Sequence, residues 1–110
     1  MIIAVAGPYS APTEEGRLKN LAALNTVAAR LLMAGHTPVI GVNAALPVVA
    51  AMPDGPERYE AIMKISMAAI SGCMGILMIG ESPGALRERD WFLEKGLPVY
   101  ISLDEVPQNT

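Results

Sequence analysis

The chain has 110 residues, of which 52% are hydrophobic and only 17% are charged. That length is typical of one compact domain, and that apolar content excludes an intrinsically disordered protein. The formal net charge of -3 excludes the basic surface with which proteins bind nucleic acid polymers or anionic membranes. The single cysteine, Cys73, excludes an intramolecular disulfide and a cysteine-built zinc site, and it favours the reducing cytoplasm.

No segment of the sequence predicts a membrane span. The uncharged run from Ile65 to Gly80 is shorter than the roughly 20 apolar residues that a bilayer requires. The run from Ala34 to Pro53 is interrupted by prolines and a glycine. The first six residues lack the basic start of a signal peptide and are typical of a buried strand. We therefore expect no membrane partner.

Four short runs rich in valine, isoleucine and leucine alternate with helical patterns along the chain. In the longest helical pattern, Leu24, Ala28 and Leu31 share one face, and Gly35 ends the helix as a left-handed residue. The tail over 104–110 is expected to be partly loose. The predicted strands cover residues 1–6, 37–42, 74–79 and 98–101, and the predicted helices cover 14–34, about 44–52, 57–71 and the stretch from the turn at 80–84 to 95.

The strand runs predict the fold class. They show no polar alternation, which indicates strands buried on both faces, as in a parallel sheet covered by helices. Alternation of strand and helix predicts right-handed β-α-β units. We therefore predict a single α/β domain over residues 1–110, a three-layer doubly wound parallel sheet of the flavodoxin/Rossmann-like type. Its four strands are expected in the order 2-1-3-4.

The predicted helix over 57–71 has almost no polar face. A helix that is apolar all round requires cover on every side. This pattern, together with the low charge content, predicts a homodimer or a higher homo-oligomer, with a second copy covering the helix. The alternative is that its small alanines and flexible methionines tolerate exposure. An accessory domain that dimerises without binding any small ligand is a further interpretation of this helix.

The predicted topology also locates a ligand site. In an open parallel sheet, ligands bind beyond the carboxyl ends of the strands where the strand order reverses, here between the first and third strands. Two loops meet at that point, residues 7–10 (Gly7, Pro8, Tyr9 and Ser10) and residues 80–84. Ser82 is suited to cap the following helix, with Pro83 at its first position. Gly84 leaves the backbone open to a ligand, so the turn predicts an anion or hydroxyl cradle, unless it is an ordinary strand-to-helix turn.

Glu88 and Tyr9 are the candidate catalytic residues at this site. Glu88 lies in the second turn of the helix after the cradle, and helical side chains lean toward the helix N-terminus. Tyr9 faces the same point from the first loop, and a phenol beside a carboxylate orients it and tunes its pKa. The alternatives are a solvated surface glutamate and a tyrosine that only packs.

Two further residues are candidate ligand contacts with open alternatives. Asn43, after the second strand, either lines the pocket or belongs to a turn. Arg87 either meets a phosphate or pairs with a nearby acid. No Gly-x-Gly-x-x-Gly follows the first strand and no Walker lysine is present, so we predict no dinucleotide cofactor. We predict no metal site either.

Four short motifs, in order along the chain, carry a family resemblance. They are residues 6–10 (Ala-Gly-Pro-Tyr-Ser), 34–39 (Ala-Gly-His-Thr-Pro-Val), 82–88 (Ser-Pro-Gly-Ala-Leu-Arg-Glu) and 96–99 (Gly-Leu-Pro-Val). With these motifs the chain resembles a small branch of the nucleoside 2-deoxyribosyltransferase-like superfamily. That superfamily includes nucleoside 2-deoxyribosyltransferases and 2′-deoxynucleoside 5′-monophosphate N-glycosidases. The resemblance covers nearly the whole chain.

The resemblance implies a double displacement at the anomeric carbon of a small-molecule nucleoside or nucleotide. The glutamate that matches Glu88 attacks C1′ and expels the base, and a second base or water then resolves the glycosyl-enzyme. The tyrosine that matches Tyr9 positions this glutamate. The turn that matches residues 82–84 holds the 5′ end of the sugar.

The chain departs from the family pattern at two positions. The transferases typically carry aspartate where this chain has Ser82, whereas the monophosphate N-glycosidases carry serine, which favours a 5′-phosphate ligand. Many relatives carry aspartate at the start of the third strand, where this chain has Met74. No acid that assists departure of the base is therefore identified. The alternative function is a nucleotide-binding or sensing module that keeps the cradle without turnover.

Overall fold

The computed structural model describes residues 1–108, and four of its elements form one parallel sheet. The strand order is β2-β1-β3-β4, so the predicted doubly wound α/β class and the order 2-1-3-4 are confirmed. The ladders align Ala4 with Val39 on one side of the central strand and with Ile76 on the other. The strands are β1 (Ile2–Ala6), β2 (Thr37–Val39), β3 (Gly75–Met78) and β4 (Val99–Tyr100).

Helices cover both faces of this sheet. Thr13 caps the first of them by accepting a hydrogen bond from the Gly16 amide at 3.0 Å. Gly35 and Gly96, with φ of 92° and 70°, follow the ends of two helices, in the left-handed conformation that favours glycine. The helices are α1 (Glu14–Met33), α2 (Gly41–Ala50), α3 (Arg58–Ile70) and α4 (Pro83–Glu94), with a 3-10 turn at Leu103–Glu105.

Two apolar cores lie on opposite faces of the sheet because side chains alternate along each strand. Ile3 and Val5 of β1 pack with the α1 residues Leu24 and Leu31. Ala4 and Ala6 of β1 instead pack in a second core, which contains Phe92 of α4 and Ile70 of α3. The three layers expected from the strand patterns are therefore present.

The second strand and the helix after it have different bounds from those predicted. β2 ends at Val39 rather than at 42, and α2 begins at Gly41 rather than at 44. Short apolar runs such as Ile40-Gly41-Val42 fit a buried strand and a buried helix equally well, so periodicity does not separate the two. The outcome matters for the site, because the first turn of α2 lies at the cavity described below.

The cover predicted for the apolar third helix comes in part from the same chain. α2 packs along α3 as an antiparallel neighbour joined by a short connection. Met63 and Ile70 are buried, Ile65 is half-buried, and Tyr59 is 44% exposed. α3 therefore does not need a second copy on every side, and the homo-oligomer stays a prediction.

The chain after β4 is held as far as Val106. This side chain is buried in the core beneath α1, with Leu103 packed against the same core. An apolar side chain therefore anchors this stretch at Val106, and the partly loose tail stays a prediction. Residues 109 and 110, which that prediction also covered, lie outside the described residues. Within residues 1–108, no helix is long and apolar enough to cross a bilayer.

Candidate functional site

A cavity of about 450 Å³ opens at the carboxyl ends of β1 and β3. This is the point at which the strand order reverses, as predicted from the topology. Its volume lies within the range of small-molecule sites in proteins. The residues that line it come from both predicted loops, from the starts of α2 and α4, and from one face of α3: Gly7, Pro8, Tyr9, Ser10, Val42, Tyr59, Ile62, Met63, Glu81, Ser82, Pro83, Gly84, Ala85 and Glu88.

The first loop reaches the cavity because its backbone crosses close to the end of β3. A Cβ atom at Gly7 would lie 2.5 Å from Cγ1 of Ile79, so only glycine fits without a shift. Asn20 of α1 donates a hydrogen bond to the Tyr9 carbonyl at 2.9 Å. Tyr9 is half-buried and Ser10 is exposed at the cavity. The loop is therefore fixed on the α1 side and presents a phenol to the site.

The second loop forms the cap and first turn of α4. Ser82 Oγ accepts a hydrogen bond from the Ala85 amide at 3.1 Å, and Pro83 occupies the first turn. Both structural roles were predicted from the sequence and are confirmed. A Cβ at Gly84 would lie 3.2 Å from Sδ of Met63, so α4 and α3 approach closely here. The positive end of the α4 dipole consequently faces the cavity wall.

Glu88 is buried, and only 5% of it is exposed. Burial raises the pKa of its carboxyl from 4.5 to about 7, because the ionised form loses hydration. Within residues 1–108, Oε2 is enclosed and has no hydrogen-bond partner. The alternative of a solvated surface glutamate is wrong, because α4 turns this position inward, between the exposed Arg87 and the half-buried Arg89.

The carboxyl of Glu88 lies against the start of α2. A Cβ on Gly41, the first residue of α2, would come within 2.9 Å of Glu88 Oε2. The residue before it, Ile40, provides no side-chain cap, so an ionised Glu88 supplies negative charge at the positive end of the α2 dipole. Burial and the negative charge of Glu88 also raise the pKa of the Cys73 thiol. That thiol is therefore a neutral group of the core.

Tyr9 and Glu88 line the same cavity, as their positions predicted. The Tyr9 hydroxyl does not bond Oε2 of Glu88, since that oxygen has no partner among residues 1–108. Tyr59 brings a second phenol to the cavity from α3. The site thus combines one buried carboxyl with two phenols on largely apolar walls.

Two candidate contacts lie away from the cavity lining. Asn43 is exposed and donates a hydrogen bond to Asn25 at 2.8 Å. Arg87 pairs with Glu60 at 2.9 Å and lies over the ring of Tyr59, 5.7 Å from its centroid. For Arg87, the arrangement matches the alternative in which it pairs with a nearby acid.

Sequence reasoning missed the contribution of α3 to the cavity. Tyr59, Ile62 and Met63 follow the spacing of one helical face, but their apolar character pointed to a subunit contact. Glu81, exposed at the cavity, was considered only as part of the turn. The signal that identifies the α3 wall is the helical spacing of Tyr59, Ile62 and Met63 together with Gly84, whose lack of a side chain lets α4 approach α3. The lining residues absent from the prediction are Val42, Tyr59, Ile62, Met63, Glu81 and Ala85.

Among residues 1–108, no group of three or more His, Cys, Asp and Glu side chains is arranged to hold a metal ion. Comparison with protein-family models gives no match, and comparison with curated proteins gives no significant match. The resemblance to the nucleoside 2-deoxyribosyltransferase-like superfamily therefore stays a prediction that depends on the four motifs.

Proposed function

We propose that this protein cleaves or transfers the N-glycosidic bond of a 2′-deoxynucleoside or its 5′-monophosphate, with Glu88 as the nucleophile. The observation that carries the proposal is the Glu88 carboxyl itself. Glu88 is only 5% exposed, burial raises the pKa of its carboxyl to about 7, and it lies on the wall of a cavity of about 450 Å³. Perturbed carboxyls in clefts of this kind are typical of catalytic groups.

In the proposed first step, an oxygen of ionised Glu88 forms a bond to C1′ of the deoxyribose. The C1′–N bond breaks, its electron pair leaves with the base, and the base nitrogen takes a proton from water. In the second step, water or a second base attacks C1′, and the bond from C1′ to the Glu88 oxygen breaks to release the carboxylate. The attacking group gives its proton to the hydroxide that the first step left. A partly desolvated carboxylate is a stronger nucleophile than a hydrated one, and covalent catalysis of this kind replaces one difficult step by two easier ones.

The 5′ end of the sugar is proposed to bind at the start of α4. Ser82, Pro83 and Gly84 line the cavity there, and a helix N-terminus favours an anion such as a 5′-phosphate. Tyr9 is proposed to orient the sugar or the carboxylate from the opposite loop, with Gly7, Pro8 and Ser10 shaping that side. Arg87 and Asn43 have no part in this arrangement as the side chains lie.

The test is release of free base from a panel of deoxynucleosides and their 5′-monophosphates. We expect release from at least one of them, with a preference for a monophosphate, and loss of at least a hundredfold in rate with Glu88→Ala. Glu94→Ala, at an exposed position of α4, is the matched control and should keep full activity. Release that survives Glu88→Ala, or no release from any substrate, would contradict the proposal.

The second candidate is a nucleotide-binding module without turnover. It is favoured because no acid that protonates the leaving base is identified. Met74, at the position where many members of the resembled superfamily carry aspartate, is 49% exposed and does not line the cavity. Glu81 is the only other carboxyl on the cavity wall among residues 1–108. Calorimetric binding of a deoxynucleotide without base release would support this candidate.

We expect a second copy of the chain as the other partner, which sedimentation measures.

A further inference from the structure

Ser66 is a buried polar residue that the proposed reaction does not use. It is 0% exposed, and its Oγ has no hydrogen-bond partner within residues 1–108. It lies on α3, one turn beyond Ile62 and Met63, on the helix face that forms the cavity wall. A serine on an otherwise apolar helix face, without a partner, requires a physical explanation.

A polar side chain near Ser66 is the carboxyl of Glu88. A Cβ on Gly41 would lie 2.9 Å from Ser66 Cβ and 2.9 Å from Glu88 Oε2. The two atoms are therefore at most twice that distance apart. Ser66 Oγ is one bond from Cβ, and rotation about the Cα–Cβ bond changes its position. Two O–H···O hydrogen bonds through one water span a similar distance, of about 5.5 Å.

Ser66 and Gly41 are located behind the carboxyl rather than in front of it. Neither residue lines the cavity, whereas Glu88 does. The enclosed, unpaired oxygen of Glu88 is Oε2, which lies against Gly41 and within twice 2.9 Å of Ser66 Cβ. The space between α2, α3 and α4 thus holds two unpaired buried oxygens, and burial of such groups without a partner is unfavourable.

We propose that Ser66 is a positioning residue for Glu88, whose hydroxyl donates a hydrogen bond to Oε2, directly or through one water. Gly41 provides the space for this contact because it has no side chain. The contact fixes Oε2 at the back of the site and leaves Oε1 toward the cavity, where it is placed to attack. This inference rests on the proposed function only in giving Oε1 a substrate to attack.

A hydroxyl that donates to a carboxylate stabilises the ionised form and holds its pKa below the value that burial alone would give.

The other groups around Glu88 are few. The titratable groups are Tyr9, Tyr59 and Glu81 on the cavity side and the neutral Cys73 thiol on the core side, while α2 carries no charged residue. The neighbouring arginines on α4 pair with acids elsewhere, at Glu60 and Asp90. Among residues 1–108, Ser66 is the side-chain donor that remains on the Oε2 side, next to the uncapped backbone amides at the start of α2.

The test is a titration of the Glu88 carboxyl by NMR in protein labelled with ¹³C-glutamate, with the signal assigned by its loss in Glu88→Gln. Burial alone raises the pKa of Glu88 to about 7, so with the Ser66 hydrogen bond in place we expect a wild-type midpoint below 7. Ser66→Ala should raise that midpoint by about one pH unit, the loss of one hydrogen bond to a charged group. The matched control is Ser71→Ala, at the exposed C-cap residue of the same helix, whose hydroxyl donates to the Ala68 carbonyl, and it should leave the midpoint unchanged.

An unchanged or lowered midpoint in Ser66→Ala would overturn the inference. Ser66→Thr keeps the hydroxyl and should keep the wild-type midpoint. If Ser66→Ala does not fold, the midpoint of Glu88 in Ser66→Thr tests the inference instead. An upward shift in the threonine variant equal to that of the alanine variant would also contradict the role of the hydroxyl. Because the titration uses no substrate, its result is separate from the base-release assay. Base release through Glu88 with no shift in Ser66→Ala would remove this inference alone.

Discussion

At the scale of single residues, the site depends on a carboxyl that the fold removes from water. The pKa of Glu88 rises from 4.5 to about 7 because burial disfavours the charged form. Its enclosed oxygen Oε2 lies at the start of α2 and has no hydrogen-bond partner within residues 1–108. The buried carboxyl of Glu88 therefore lowers the stability of the fold when it is ionised.

The first prediction concerns the pH dependence of stability. Between pH 4.5 and pH 7, folded Glu88 binds a proton that the unfolded chain has released, so stability falls as pH rises through this window and is level above it. The raised pKa corresponds to a loss of about 3 kcal/mol in the free energy of unfolding between pH 4 and pH 8. Urea unfolding at these two pH values measures it. In Glu88→Gln, this fall in the free energy of unfolding between pH 4 and pH 8 should be absent.

The matched control is Glu94→Gln, at an exposed position of the same helix. This variant should keep the full pH dependence of the wild type, because it leaves the Glu88 carboxyl and its surroundings unchanged. If the wild type and Glu88→Gln show the same change between pH 4 and pH 8, the carboxyl does not titrate as we describe.

The second prediction concerns Gly41. In Gly41→Ala, the new Cβ would lie 2.9 Å from Glu88 Oε2 and 2.9 Å from the Ser66 carbonyl oxygen, and the backbone oxygen cannot move aside. We expect a loss of about 1–3 kcal/mol in unfolding free energy, despite the better helix propensity of alanine. Gly72→Ala is the control, because a Cβ there meets no atom within 4 Å. Equal stability of the two variants in urea unfolding would contradict the close packing at Gly41.

At the scale of secondary-structure elements, the cap of α4 has a structural and a binding role that substitution can separate. Ser82 Oγ accepts from the Ala85 amide, so Ser82→Ala should lower the unfolding free energy by about 1 kcal/mol. Ser82→Asp should keep the cap, because aspartate is an equally good N-cap residue. Chemical denaturation of both variants measures this difference.

The same pair tests the cradle. The negative charge in Ser82→Asp should weaken binding of a 5′-monophosphate at least tenfold relative to the nucleoside, because like charges repel at the start of α4. Calorimetric titration of both ligands measures the ratio. An unchanged ratio in Ser82→Asp would show that the 5′ end of the ligand does not bind at this turn.

The elements could be predicted from the sequence to an uneven degree. The buried strands and α1 follow from apolar runs and from residues such as Leu24 and Leu31, which pack as their spacing indicates. The boundary between β2 and α2 could not be predicted, because it depends on the close approach of Gly41 to Ser66 and Glu88. That contact joins three elements far apart in sequence, and no local pattern contains it.

At the scale of the whole molecule, the cavity exists because four elements converge at the switch point of the sheet. The topology located its two loops and the catalytic candidates, Tyr9 and Glu88, which both line it. The α3 wall was not predicted, since Tyr59 and Ile62 fit a subunit contact as well as a pocket. A helix that is apolar all round shows only that it is covered, and the tertiary structure decides by what. Here α2 and the cavity account for part of that face.

The central claim is that Glu88 becomes covalently attached to C1′ of a deoxyribose. Mass spectrometry of the protein, quenched in acid during turnover and then digested, tests this claim directly. The account predicts a deoxyribosyl adduct on the peptide that contains Glu88, absent from Glu88→Ala. An adduct on Glu81, the other carboxyl of the cavity, or turnover with no adduct on any carboxyl, would contradict it.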